Sequence, residues 1–468
     1  MIVEQMIDSA VAEYKIKLLA HCSVAAESPL TPASSASVVA GLHAAANAAS
    51  KEALRVFIES KDELRDVIRV GEDMYRVKCV SGREILSSWG TVRIERRLFQ
   101  NARDETHFPL DAAWGMSGEF MMAEIRESVA FVCAHVPPVV AVQLFGKCAQ
   151  FRPHRTQVLG ALKRIEARVC EYREALDDRI RKQETVPEGV RALVASMDGA
   201  NVLLKEPGKK QGRPKERPGN DDGEAAKTTY KNAMAGCFSF YGAVKEGEKC
   251  PQRLRTRYVA HMPEDLAPTF KRRFEEELSA AEALCAPDVV KVILCDGARS
   301  IWTYIDGNLR FAGYLTLIDY WHAVEHLSLA AEALFGKGTD EATAWYNEYA
   351  DKLLERDDGA RAALKSMAYY ARTRELPKSR RADLKVQQTF FERNKARMTY
   401  ADFRRRGLPI GSGPVEAACK TLIKHRMCQS GMRWSREGGQ RILDLRSYVK
   451  SNRWDAFWQE YMNLPCAA

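Results

Sequence analysis

The run Val289-Val290-Lys291-Val292-Ile293-Leu294-Cys295, followed at once by Asp296-Gly297-Ala298-Arg299, decides how the rest of the chain is read. A short apolar run rich in Val and Ile, bounded by Pro287-Asp288 before it and Asp-Gly after it, has the make-up of a buried strand. Arg191 to Met197 is a second such run, and it leads into Asp198-Gly199. A strand end lets an acid project into a cleft, and Gly permits close approach of another backbone. Placed side by side in one sheet, Asp198 and Asp296 repel each other unless a cation neutralises them. A third acid, Glu416, stands in Gly411-Ser412-Gly413-Pro414-Val415-Glu416-Ala417. Pro favours the first helical position, which makes Gly413 the expected N-cap and Glu416 the third residue of a helix. Three carboxylates so gathered could hold two divalent ions, Mg²⁺ or Mn²⁺, the machinery for breaking and joining phosphodiester bonds.

Each acid also has a plainer reading. Asp-Gly is ordinary turn chemistry. Glu in a first helical turn is stabilised by roughly 0.3–1 kcal/mol, and Glu416 could pair with Lys420 four residues on. Asp319-Tyr320-Trp321-His322 and His326 fall on an expected helix. His322 and His326 are spaced to bind zinc, but without the HExxH frame they read equally as packing residues. For His326 packing is the preferred reading.

Around these segments the chain is an ordinary globular one. It has 468 residues, 46% hydrophobic and 28% charged, enough for two to four domains. Its formal net charge of +9 fits a polyanionic partner, as it fits many other proteins. The 12 cysteines show no CxxC pair, which excludes the usual zinc and redox signatures and points to a reducing, cytoplasmic setting. Met1 to Tyr14 carries Glu4, Asp8 and Glu13 and no basic cluster, unlike a signal peptide. The most apolar stretch, Val129 to Phe145, contains His135 and Pro137-Pro138, which argues against a membrane span.

The texture divides the chain. Residues 1–70 read as helical, with a loop expected over Ser28 to Ser37. Residues 71–190 hold a small β element, in which Thr91 to Arg96 alternates like a half-buried strand after a turn at Ser87-Ser88-Trp89-Gly90. Short helices follow, broken at Pro137-Pro138 and near Pro153. Val140 to Arg168 has a helix-turn-helix layout whose second helix carries Lys163, Arg164 and Arg168, though any two amphipathic helices give the same pattern. Residues 191–310 alternate strands and helix, residues 311–405 read as all-helical, and residues 406–468 close with more helix. Basic residues gather at Lys209, Lys210, Arg213, Lys215 and Arg217, whose Gly212-Arg213-Pro214 centre partly resembles an AT-hook and reads equally as a solvated loop. Others stand near Glu416 in sequence: Arg404-Arg405-Arg406, Lys420, Lys424, His425, Arg426 and Arg433. A phosphate backbone suits them; so does water.

Five segments together resemble bacterial insertion-sequence transposases of the ISKra type, a DDE group. They are Ser196-Met197-Asp198-Gly199-Ala200-Asn201, Leu294 to Trp302, Asp319-Tyr320-Trp321-His322-Ala323, Arg404 to Glu416, and Ser430-Gly431-Met432-Arg433-Trp434. The resemblance covers Leu193 to Trp458. It implies an α/β class, RNase H-like fold: a mixed five-stranded sheet flanked by helices, interrupted by a helical insertion, behind a mainly helical N-terminal region. It implies that Asp198, Asp296 and Glu416 are the catalytic, metal-holding triad, with Asp319 and His322 as active-site support. The expected activity is metal-dependent cleavage of element ends and their joining to target DNA. Expected partners are double-stranded DNA, with terminal inverted repeats, and at least a second copy of the chain. Lys209, Lys210, Arg213, Lys215, Arg299, Lys420, Lys424, Arg426 and Arg433 are the expected DNA contacts. Two rival readings stay open: a nuclease on the same fold that only hydrolyses, and a DNA-binding protein with an unused triad.

Overall fold

The computed structural model describes residues 2–26, 29–149, 151–205 and 230–465. The chain divides into two units, Met1–Asp178 with Ala456–Ala468, and Arg179–Asp455.

The first unit opens with helices α1 (Ile2–Ala26) and α2 (Pro32–Glu59), which pack against each other. The loop expected through Ser37 stops at Thr31. Its hydroxyl accepts the Ser34 N–H at 3.1 Å, Ser34 answers at the Thr31 N–H, and Pro32 sits where its missing N–H costs nothing. An antiparallel sheet follows: β1 (Val67–Val70), β2 (Asp73–Ser87), β3 (Gly90–Gln100) and the short β4 (Thr106–His107). The expected turn joins β2 to β3, with Ser87 facing Gly90 and Gly90 at φ 105°. Then come α3 (Pro109–Ala113), α4 (Ala123–His135), α5 (Pro138–Cys148) and α6 (Arg155–Lys182). The breaks fall at the expected prolines, since the residue before Pro is pushed out of the helical region. Helices α5 and α6 fall where the expected helix-turn-helix would lie, but two of the basic side chains on α6 are engaged within the unit. Arg164 pairs with Glu119 at 2.7 Å, and Arg168 donates to the Pro465 carbonyl at 3.0 Å.

The second unit is built on a mixed sheet flanked by helices. Its elements are β5 (Ala192–Leu203), β6 (Tyr230–Val244), β7 (Pro251–His261), α7 (Pro268–Ala283), β8 (Val290–Cys295), α8 (Arg299–Asp306) and β9 (Leu315–Ile318). The strand order is β7-β6-β5-β8-β9, with β5, β8 and β9 parallel and the β5–β6–β7 ladder antiparallel. Val292 to Cys295 are buried, as a strand between parallel neighbours requires. Phe270, Phe274 and Leu278, at helical spacing on α7, bury against Phe238 and neighbouring strand residues. Each such side chain removed from water contributes roughly 1.5–3 kcal/mol.

The region 311–405 is not all-helical. β9 lies inside it and forms the sheet edge; four residues are too few to show an alternation in the sequence. The helices begin after it: α9 (Tyr320–Phe335), α10 (Asp340–Glu355), α11 (Gly359–Thr373), α12 (Lys378–Asn394) and α13 (Tyr400–Arg405). His326 is a packing residue here, stacked on Phe390 at 3.6 Å with Nδ1 2.7 Å from Gln387 Oε1. Next comes α14 (Gly413–Ala418), which continues as a π-type turn over Cys419–Lys424 into α15 (His425–Met427). After α15, Trp434 pairs with the end of β5 through Trp434 N–H to Leu203 at 3.0 Å and Lys205 N–H to Trp434 at 2.8 Å. α16 (Arg436–Lys450) ends this unit's helices, and most of α17 (Trp454–Met462) belongs to the first unit.

A buried ion network braces this unit. Glu184 and Glu277 hold Arg257 and Arg453, with Glu184–Arg257 at 2.6 Å and Glu184–Arg453 at 2.7 Å. Burial pushes the Glu277 carboxyl up, but Arg453, Arg181 and Arg257 together hold it below the usual carboxylate value. Burial and the neighbouring Arg453 lower Arg257 to about 10. Among the described residues no helix is long and apolar enough to cross a membrane.

Candidate active site

The parallel β5–β8 pairing sets Ala192 beside Val290 and Ala195 beside Ile293. The same offset of 98 residues carries through Met197, whose N–H meets Cys295 Sγ at 3.4 Å. It therefore brings Asp198 alongside Asp296. Asp198 does not end its strand, contrary to the expectation from sequence: β5 runs on to Leu203 paired with β6. What ends near Asp198 is β8, because Asp296-Gly297 turns away into α8. Gly297 is required there, since a Cβ would lie 2.2 Å from Phe390 Cε2 on α12. The Asp296 carboxylate accepts the Ala298 N–H at 2.9 Å.

The charge at Asp296 is strained. Burial pushes its carboxyl up, and so do the nearby charges of Asp198 and Asp319; the Ala298 N–H and His322 act the other way. The structure thus brings Asp198, Asp296, Asp319 and His322 into one electrostatic neighbourhood. None of the four acids Asp198, Asp296, Asp319 and Glu416 forms an ion pair with Lys or Arg among the described residues.

Asp319 is fully buried, at 0% exposure, and stands at the N-cap of α9 rather than on the helix. One oxygen accepts the His322 backbone N–H at 2.9 Å, and the other accepts the Ser412 N–H. The three-residue spacing suggests a pairing of the Asp319 and His322 side chains; the bond is instead to the His322 backbone. The His322 ring is half-buried, its Nδ1 3.8 Å from Glu325 Oε2.

Glu416 stands on a separate helix, α14. Ser412, not Gly413, caps α14, which puts Pro414 second in the helix. The Ser412 hydroxyl donates to Glu416 Oε1 at 3.2 Å. Three residues on, Cys419 is buried; that burial, with the nearby Asp198 charge, pushes its thiol up. The helix itself packs against β5 and β6, but among the described residues no contact joins the Glu416 side chain to Asp198 or Asp296. The Glu416 side chain is exposed.

These acids offer only oxygen donors, which suits a hard divalent cation, and their uncompensated charge favours one. Yet among the described residues no three His, Cys, Asp or Glu side chains are arranged to hold an ion. The donor chemistry fits; closure of the third ligand onto the Asp198–Asp296 pair does not follow from this arrangement.

Of the expected DNA contacts, Arg299, Lys420, Lys424 and Arg433 are exposed. Arg299 opens α8 directly after the Asp296 turn. Arg426 is a correction: it is 1% exposed, packed with its guanidinium 5.1 Å from the Trp434 ring centre, and so cannot reach a phosphate from this position. Lys209, Lys210, Arg213, Lys215 and Arg217 lie outside the described residues. Arg404, Arg405 and Arg406 stand with Arg191 and Val244, at the opposite end of the sheet from Asp198.

Sequence reasoning missed Ser412 as a partner of both Asp319 and Glu416. A signal for Asp319 was available: an Asp directly after an apolar run and before a helix is a standard N-cap pattern.

No family profile matches the chain. Among solved structures it is similar to a chain of the Drosophila P element transposase strand transfer complex, at 8% identity over 74% of this chain and 81% of that one, with a TM-score of 0.24.

Proposed function

We propose that this protein is a DDE-type DNA transposase with an RNase H-like catalytic unit, of the ISKra-type insertion-sequence family. The observation that carries the reading is the alignment of Asp198 with Asp296 across parallel strands, their charges unneutralised, beside the helix that bears Glu416. The mixed five-stranded sheet flanked by helices supports it.

In this reading Asp198, Asp296 and Glu416 are the residues that would hold Mg²⁺ or Mn²⁺, which when bound would supply Lewis acidity to a phosphodiester and lower the pKa of a nucleophilic water or 3′-hydroxyl. The chain's own groups do the positioning. Asp319 fixes the Ser412 backbone, and the Ser412 hydroxyl holds the Glu416 carboxylate. His322, half-exposed beside Asp296, donates a hydrogen bond to the DNA. Arg299, Lys420, Lys424 and Arg433 contact the phosphate backbone, each contact salt-sensitive. Hydrolysis frees a 3′-OH at the element end; that hydroxyl attacks a target phosphodiester, joining to its 5′-phosphate while the P–O bond to the target strand's 3′-oxygen breaks and that oxygen leaves as a 3′-OH. The partner is double-stranded DNA with terminal inverted repeats, and two ends imply at least two copies of the chain in a cytoplasmic setting.

The test is a duplex carrying the DNA that flanks the gene, end-labelled, incubated with the full chain and Mg²⁺ or Mn²⁺. Cleaved ends plus a joined product support transposition. Cleavage without joining supports the hydrolytic nuclease, and binding without either supports the non-catalytic reading.

A further inference from the structure

A cleft of about 970 Å³ lies at the end of the mixed sheet opposite Asp198 and Asp296. Arg191, just before β5, and Val290, at the start of β8, line it. The β6–β7 turn contributes Glu248 and Lys249, and α13 with the residues after it contributes Arg404, Arg405 and Arg406. Arg191 precedes Asp198 by seven residues, so at about 3.3 Å per strand residue the cleft is roughly 23 Å from the acids. One bound phosphate cannot serve both ends.

Its cations divide into two kinds. Arg405 is committed to Asp357 at 2.7 Å, and Arg406 to Asp402 at 3.5 Å. Arg191, Lys249 and Arg404 have no carboxylate partner among the described residues; Arg404 donates only to the Leu354 carbonyl at 3.3 Å. All three are exposed. The lining holds no aromatic ring on which a nucleobase could stack. Its apolar part is small aliphatic side chains, such as Ala243 and Ala401. Glu248, Asp288 and Glu355 share this wall, so an anion is held at the three unpaired cations rather than by a uniformly basic surface.

We infer that this cleft seats the sugar–phosphate backbone of a DNA duplex, at a second contact separate from the acidic site, through Arg191, Lys249 and Arg404. None of the acids takes part, so this contact can fail its test while the catalytic reading stands, and the reverse.

The experiment titrates the full chain with a short fluorescent duplex of arbitrary sequence, in EDTA, over a series of salt concentrations. The variant Arg191→Gln/Lys249→Gln/Arg404→Gln is expected to flatten the log–log salt dependence by about 2–3 units, near 0.9 for each phosphate no longer neutralised. The opposite variant, Glu248→Gln/Glu355→Gln, removes carboxylates from the same wall and is expected to tighten binding. That gain cannot come from misfolding, so it decides the matter if the triple variant is unstable. An unchanged slope with native circular dichroism overturns the inference, as does unchanged affinity in the Glu variant. Displacement of the duplex by micromolar triphosphate would also overturn it, since the cleft would then be a small-anion pocket.

Discussion

The buried carboxylate of Asp319 accepts the backbone N–H of Ser412, 93 residues further along the chain. Beside this bond the Tyr320 N–H donates to the Ile410 carbonyl at 3.0 Å. Together they close the helical insertion: its first helix starts at Asp319 and the Glu416 helix starts at Ser412. A loop of this length is costly to hold shut by entropy alone. The two bonds fix where α14 begins, and hence where Glu416 stands.

Removing that clamp should misplace Glu416 without dissolving the sheet. Asp319→Ala leaves two backbone N–H groups without their acceptor, at a cost of about 1–3 kcal/mol. Cleavage is expected to fall much more than DNA binding. Asp319→Asn, which keeps one acceptor, should fall between. A gel-based cleavage assay beside a binding isotherm checks this; equal loss of both would point to general unfolding.

Asp296→Asn and Asp198→Asn should each cost about 4 kcal/mol of transition-state stabilisation, a roughly thousandfold loss of cleavage. A second readout needs no activity. Mg²⁺ or Mn²⁺ should raise the Tm of the wild type and not that of either variant. Without divalent ions, Asp296→Asn should melt higher than wild type by roughly 2–4 °C, because it relieves burial and the Asp198 repulsion. A lower Tm without ions would contradict the strained charge.

His322→Ala should lower cleavage roughly 10–100-fold, the worth of one charge-assisted hydrogen bond, with binding nearly unchanged. Its backbone N–H still caps at Asp319, so the fold should hold. Loss of neither activity would make the ring a bystander.

The Glu277 network sets an acid limit on stability. Burial raises the Glu277 carboxyl, but Arg453, Arg181 and Arg257 outweigh it, so its folded value lies below the unfolded one. A depressed carboxyl contributes stability that is present above the unfolded value, near 4.5, and is lost as pH falls through the folded value. Wild type should therefore lose stability steeply below about pH 4.5. Glu277→Gln should be destabilised by about 3–5 kcal/mol at neutral pH, where it leaves Arg257 and Arg453 under-paired, and its pH dependence in that acid window should be shallower. Urea melts across pH measure both.

Much of the sheet was legible because buried parallel strands are written as local apolar runs. Val289 to Cys295 and Arg191 to Met197 needed no distant information to be recognised, and their acids came with them. The helix breaks at Pro137-Pro138 and near Pro153 were equally local, since proline acts on its own backbone. β9 was not legible: Leu315 to Ile318 owes its strand state to the edge of β8, and a four-residue run carries no period.

Charge and partnership were decided only by the fold. Arg426 reads as a phosphate ligand beside Lys424, yet helix α15 turns it inward onto Trp434. Arg404 to Arg406 stand 10 to 12 residues from Glu416 in sequence, yet they line the cleft at the far end of the sheet. Local sequence was enough to name the side chains that could carry chemistry and to recognise the long strands and helices, because these follow from composition and short-range periodicity. The fold alone settled that Asp319 caps one helix and anchors another, and that Cys419 is buried near Asp198. Those contacts join residues far apart in the chain, and nothing in local propensity encodes which distant backbone a buried carboxylate will find.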